Sequence, residues 1–209
     1  MSFMNTVDLV GDEALTNSII DRSIMEIADN LVTIIGRRAF QSCSALTTAD
    51  FPAATSIGGY AFRECSALTT ANFPAATSVG PDAFSYCSKL TTANFPAATS
   101  IGASAFESCS ALTTADFPAA TSIGPDAFSY CSKLTALILR SETMATLSNT
   151  NAFSSTPIAS GTGYIYVPRA LVDSYKAASK WSTYANQFRA LEDYTVDGTT
   201  TGALDETKI

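Results

Sequence analysis

Histidine is absent from the 209 residues. That removes the usual general base near neutral pH and the commonest metal ligand. Positive charge is also scarce: 12 lysines and arginines face 19 acidic residues, for a net charge of −7. A chain that grips the phosphate backbone needs a basic face, so nucleic acid is excluded as a partner. No apolar run approaches the roughly 18 residues that span a bilayer, so membrane insertion is not expected. The N-terminus, "MSFMNTVDLVGDEALTNSIIDRS", has neither a basic n-region nor an apolar h-region and does not read as a secretory signal peptide. The motifs G-x-S-x-G, G-x-G-x-x-G and the P-loop are missing as well. No nucleophile–base pair can be assembled, no cofactor is implied, and the chain does not read as an enzyme.

What the chain has in abundance is itself. Apolar residues make up 46% and charged residues only 15%, which is the composition of a folded protein. One 22-residue frame returns five times without insertion, beginning at Ile35, Ile57, Val79, Ile101 and Ile123. Phe40, Phe62, Phe84, Phe106 and Phe128 share one position of the frame, and Cys43, Cys65, Cys87, Cys109 and Cys131 share another. A fixed period of this length marks a solenoid in which each repeat is one coil stacked on the last. The copies at Val79 and Ile123 share "GPDAFSYCSKLT", so the unit of recent duplication reads as 44 residues.

Within one coil, "LTTADFP" (46–52) fits the L-x-x-L-x-L strand pattern, with Leu46, Ala49 and Phe51 inward and Thr47, Thr48 and Asp50 outward. Pro52, which has no N–H, ends that strand. "AATSIG" supplies a second short extended piece, with Ile57 inward. "AFRECSAL" spaces Phe62, Cys65 and Leu68 for one face of a short helical or 3₁₀ turn. A single coil buries too little apolar surface to offset the ordering of its own backbone, so neighbours and caps are required. At the front, "SIMEIADNLVTIIG" is a degenerate copy with Asp29 where phenylalanine belongs, preceded by a short helix that Asp12 could N-cap. At the back, Ala136 and Ile138 replace the polar strand face, which implies that something covers them. A stretched copy follows through "YIYVP", and then Leu171, Tyr175, Ala178, Trp181, Ala185 and Phe188 recur at helical spacing as a C-terminal cap. The divisions expected are an N-terminal segment and cap (1–34), five repeats (35–144), a degenerate repeat with helical cap (145–194) and a Thr/Gly-rich tail (195–209).

The frame "IGxxAFxxCSxLTTxxFPAATS" resembles the BspA-type, or Treponema-type, leucine-rich repeat, and "YIYVPRALVDSYKAASKWSTYA" resembles the segment that closes such arrays. The resemblance covers about residues 23–190. It implies an α/β repeat protein: a right-handed solenoid with one parallel strand, a short second strand and a short helical turn per coil. It also implies a secreted or cell-surface protein that binds a protein or glycan on a host or bacterial surface, and it brings no catalytic residues. The absence of a leader or anchor motif leaves a second expectation open, a phage or mobile-element component that recognises a host and docks to a virion, or self-assembles, through its termini.

Five thiols at one interior position read as a reduced ladder of small hydrophobes; a metal site would want them clustered. Two sets of residues are candidates for partner contact. The outward strand positions form a row of Thr48, Thr70, Thr92 and Thr114 beside Asp50, Asn72, Asn94 and Asp116. Such a row is either a solvated polar face or a strip of regularly spaced hydrogen-bonding groups for a glycan or protein. The turn positions vary most and carry Tyr60, Tyr86 and Tyr130 among arginines and carboxylates; they are either a contact surface, since tyrosine and arginine are enriched at binding hot spots, or positions free to vary because nothing touches them.

Overall fold

The computed structural model describes residues 32–193 and, as backbone, the short strands Glu26–Ala28, Thr195–Val196 and Thr199–Thr200. Asp12, Asp29, the front helix and the end of the tail lie outside the described residues.

Each coil contributes two strands. The longer ones are Thr48–Asp50, Thr70–Asn72, Thr92–Asn94, Thr114–Asp116 and Ala136–Ile138. The shorter ones run from Ile34–Ile35 through Ser56–Ile57, Ser78–Val79, Ser100–Ile101 and Ser122–Ile123 to Thr146–Leu147. Pairing between neighbouring coils is parallel and in register, Thr48 opposite Thr70 and Ser56 opposite Ser78. The degenerate front copy is a coil in its own right, since Glu26–Ala28 pairs with Thr48–Asp50. The stretched back copy is one too, since Tyr164–Val167 pairs with Ala136–Ile138.

The interior is two columns of phenylalanine. Phe40, Phe62, Phe84, Phe106, Phe128 and Phe153 stack near-parallel at 4.9–5.8 Å. Phe51, Phe73, Phe95 and Phe117 form the second column and meet the first edge-on or tilted. Leucine, isoleucine and alanine at the inward strand positions are buried as the alternation predicts, with the exception of Ala93, which is partly exposed. All five cysteines are buried and none forms a disulfide. The thiols of Cys65, Cys87, Cys109 and Cys131 each donate to a phenylalanine carbonyl of the preceding coil at 3.0–3.2 Å. Burial pushes the Cys131 thiol up to about 12, and those of Cys87 and Cys109 upward as well. These thiols are packing, held away from the thiolate form that does chemistry.

The segment expected to be a short helical turn is a chain of tight turns. Ala61, Arg63 and Cys65 each bond back three residues, to Gly58, Tyr60 and Phe62. Two residues per coil have positive φ, among them Tyr60 and Glu64, then Asp82 and Tyr86, then Asp126 and Tyr130. Left-handed backbone costs a non-glycine residue about 1–2 kcal/mol and stops a helix from propagating. In return the N–H groups of Tyr60, Glu64 and Tyr86 point along the stack and donate to Pro81, Ser85 and Glu107 carbonyls at 2.8–2.9 Å.

Glycine is required where coils touch through their backbones. A Cβ on Gly102 would lie 2.7 Å from Gly80 and Pro81 backbone atoms, which have no rotamer to give. Gly102→Ala should therefore destabilise the protein by about 2–3 kcal/mol, as overpacking does. A shift in urea midpoint at unchanged m-value measures it.

The back cap departs from the helix that its spacing suggests. The helix Val172–Ala177 ends before Lys180, whose φ is 68°, a 3₁₀ segment spans Trp181–Gln187, and Phe188–Ala190 is a strand paired with Tyr164–Val167. The apolar spacing serves two other tasks. The Trp181 indole N–H donates to the Ala145 carbonyl, the Ala145 N–H donates to the Tyr175 hydroxyl (both 2.7 Å), and Tyr184 donates to the Thr150 carbonyl. Trp181 is 1% exposed against Phe153, Tyr175 and Phe188, so it packs the cap.

Candidate functional site

The longer strands set their outward side chains in one row because the step between coils is constant. Thr48, Asp50, Thr70, Asn72, Thr92, Asn94 and Asp116 line a groove of about 560 Å³, whose other walls are Ala93, Pro96, Pro118 and Arg140. Of the strand row expected from sequence, only Thr114 falls outside that lining. The first threonine of each Thr-Thr pair hydrogen-bonds along the stack: Thr69 donates to the Thr47 carbonyl and Thr91, still exposed, to the Thr69 carbonyl, at 3.0 and 3.2 Å. The hydroxyls of Thr70, Thr92 and Thr114 have no hydrogen-bond partner among the described residues.

The carboxamides are fixed along the row. Asn72 Nδ2 donates to Asp50 Oδ1 at 2.7 Å, and Asn94 Nδ2 donates to Asn72 Oδ1 at 2.6 Å. Asp116 takes a different partner, the fork of Arg140, through Nη2–Oδ2 at 2.6 Å and Nε–Oδ1 at 3.3 Å. The Asp116 side chain is only 8% exposed. Beyond it the row turns apolar, as Ala136 and Ile138 occupy outward positions yet are buried. In register they lie between Thr114 and Asp116 on one side and Tyr164 and Tyr166 on the other. Arg189 caps that end, its guanidinium 4.3 Å from the Tyr164 ring centroid.

The strand sheet is not continuous. Glu26–Ala28, Thr48–Asp50, Thr70–Asn72 and Thr92–Asn94 form one sheet; Thr114–Asp116 opens another with Ala136–Ile138, Tyr164–Val167 and Phe188–Ala190. The sheet of shorter strands runs unbroken through the same coils. The break falls inside the groove, and Ala93 beside it is partly exposed while Ala49, Ala71 and Ala115 are buried.

Tyr60, Tyr86 and Tyr130 lie on the turn edge and do not enter the groove. Arg37, Arg38 and Arg63 place guanidinium carbons 5.3–5.6 Å from the Tyr60 ring centroid, and Arg63 lies 5.5 Å from that of Tyr86. Tyr86 and Tyr130 are 43% and 57% exposed on left-handed backbone. Sequence reasoning missed Arg140, Pro96 and Pro118 as groove residues. One signal was available: Arg140 stands where the preceding copies carry Pro52, Pro74, Pro96 and Pro118.

The BspA type leucine-rich repeat region model matches this chain in six copies, over residues 1–91 and 55–164. No curated protein matches the sequence. Among solved structures, the chain is similar to a leucine-rich cell surface protein of Faecalibacterium prausnitzii A2-165, with a TM-score of 0.54 and 22% identity over 84% of this chain and 53% of that one. A leucine-rich repeat protein of Bacteroides ovatus ATCC 8483 matches at a TM-score of 0.35 and 16% identity, over 70% of this chain and 56% of that one. The chain thus spans about half the length of either protein. The six repeat copies, the in-register coils and the paired phenylalanine columns lead to one assignment: this chain belongs to the BspA-type leucine-rich repeat family.

Proposed function

We propose that the protein is a non-catalytic recognition module that works at a cell surface and binds a partner through the outward face of its strand row. One observation carries this reading: the groove is walled by side chains already ordered before any ligand arrives. The amides of Asn72 and Asn94 are held by hydrogen bonds at 2.7 and 2.6 Å, and Arg140 is tied to Asp116. Preorganised polar groups on a rigid sheet lose little entropy on binding. The same walls hold no pair that could run acid–base or nucleophilic chemistry, only threonine, carboxamide, carboxylate, guanidinium, alanine and proline. The cell-surface setting is supported by the family and by the structural neighbour described as a cell surface protein. No helix among the described residues is long and apolar enough to cross a membrane.

The turn edge is a second contact surface in this reading. Tyrosine in left-handed backbone is costly where glycine or asparagine would be cheap. Tyr60, Tyr86 and Tyr130 accept that cost while two of them stay exposed.

The test is a binding screen of the labelled protein against arrays of host and bacterial surface proteins and of glycans. At least one class should bind, and Asn72→Arg, which fills the middle of the groove, should weaken it by about tenfold or more. Silence across both arrays from a folded sample overturns the reading.

A further inference from the structure

The outward row has four rungs and three gaps: Asp50, Asn72, Asn94, Asp116. A carboxylate only accepts hydrogen bonds, whereas a carboxamide offers one donor end and one acceptor end along the stack. Two amides therefore close two gaps, and both are used, Asn72 to Asp50 and Asn94 to Asn72. The third gap sets Asn94 Oδ1 on the side of the Asp116 carboxylate, acceptor toward acceptor. Turning the amides round moves this mismatch but cannot remove it.

The backbone ladder lapses at the same gap. Phe73 N–H donates to the Asn94 carbonyl and Phe117 N–H to the Ile138 carbonyl, each at 3.0 Å, with no counterpart from Phe95 to Asp116. Thr91 bonds to Thr69 and Thr135 to Thr113, with none from Thr113 to Thr91. Meanwhile the core hardly opens. The ring centroids of Phe95 and Phe117 are 6.1 Å apart against 5.4 Å for Phe73 and Phe95, and Phe84 and Phe106 remain at 5.4 Å. An inserted peptide strand needs a further ~4.8 Å of spacing. It is excluded, so an occupant meets the break only from the groove.

The occupant must bring two donors to two acceptors without bringing charge. A cation would meet the Arg140 guanidinium, and an anion would meet Asp116 and Asp50. Arg140 engages each oxygen of the Asp116 carboxylate once, which leaves further lone pairs open. The vicinal hydroxyls of a sugar ring fit: one donates to Asn94 Oδ1, the other to Asp116, and an oxygen of the pair can still accept from the unpartnered Thr92 hydroxyl. Pro96 and Pro118 give the groove apolar walls for the C–H faces of the ring, and its volume lies within the range of small-ligand clefts.

We infer that the break between Asn94 and Asp116 is a subsite for a neutral saccharide, recognised through a vicinal diol. The inference rests on the recognition reading above and specifies its ligand.

Asp116→Asn is the discriminating variant. Its amide would donate to Asn94 Oδ1 and keep an oxygen for Arg140, so the ladder closes and the subsite disappears. The probes are neutral trisaccharides of glucose, mannose, galactose and xylose, titrated by calorimetry and followed by NMR. At least one should bind, and Asp116→Asn should lose about tenfold or more in affinity while cooperative thermal unfolding shows that it is still folded. Asn94→Leu, which removes the acceptor from an exposed position, should lose binding without closing the ladder. Failure of every neutral probe, or binding that survives both variants, overturns the inference. Binding of surface proteins or acidic glycans alone overturns it too, while leaving the recognition reading intact.

Discussion

Phe84→Ala should remove about 3–5 kcal/mol of stability, the usual cost of emptying a phenylalanine site in a core that cannot collapse. Phe84 is fully buried, stacked on Phe62 at 5.1 Å and Phe106 at 5.4 Å, and edge-on to Phe73 and Phe95 at 5.8 and 5.4 Å. Collapse is blocked because the coils above and below are held apart by their own hydrogen bonds on the turn edge and the short-strand sheet. A loss of that size is a large share of the 5–15 kcal/mol that keeps a domain folded. The comparison variant is Tyr86→Ala, two positions away but 43% exposed, which should stay within about 0.5 kcal/mol. Denaturant midpoints separate the two. A Phe84→Ala loss below about 1 kcal/mol would mean that the phenylalanine columns do not carry the stack.

Deleting residues 79–100 should leave a folded protein, one coil shorter and less stable. The cut joins Ser78 to Ile101 and therefore keeps the serine–isoleucine strand, the glycine after it and the next phenylalanine in register. What is lost is one coil and one interface in a nearly one-dimensional sum. Deleting 79–89 instead leaves half a coil, so at that junction a strand meets a turn and both hydrogen-bond ladders and both aromatic columns are mismatched. That variant should not fold. Circular dichroism and cooperative thermal unfolding measure both, and equal tolerance of the two deletions would contradict the solenoid.

The strands and core were legible because their causes are local and repeated. Leu46, Ala49 and Phe51 alternate with polar neighbours, and Pro52 lies just past the strand end. The turns were not legible in the same way. "AFRECSAL" has helical spacing, but Tyr60 and Glu64 adopt left-handed backbone because their N–H groups are claimed by the next coil. That is a tertiary cause that no propensity contains. The cap misled for a related reason: Trp181 and Tyr175 are spaced as on one helix, yet both reach Ala145, so the chain bends between them. In the groove, the row from Asp50 to Asp116 could be read from the period alone. The break in it could not, although the order Asp, Asn, Asn, Asp already holds one donor too few.

Most side chains that tie coil to coil share a sense, Ser42 and Ser129 being exceptions that donate to the coil after. The hydroxyl of Thr69, the thiol of Cys65 and the amide of Asn72 all donate to the coil before, as do their equivalents further along. The stack therefore has a head and a tail, like a filament whose subunits all point one way. Two such arrays can continue each other only head to tail, and a gain of coils by duplication always arrives correctly oriented.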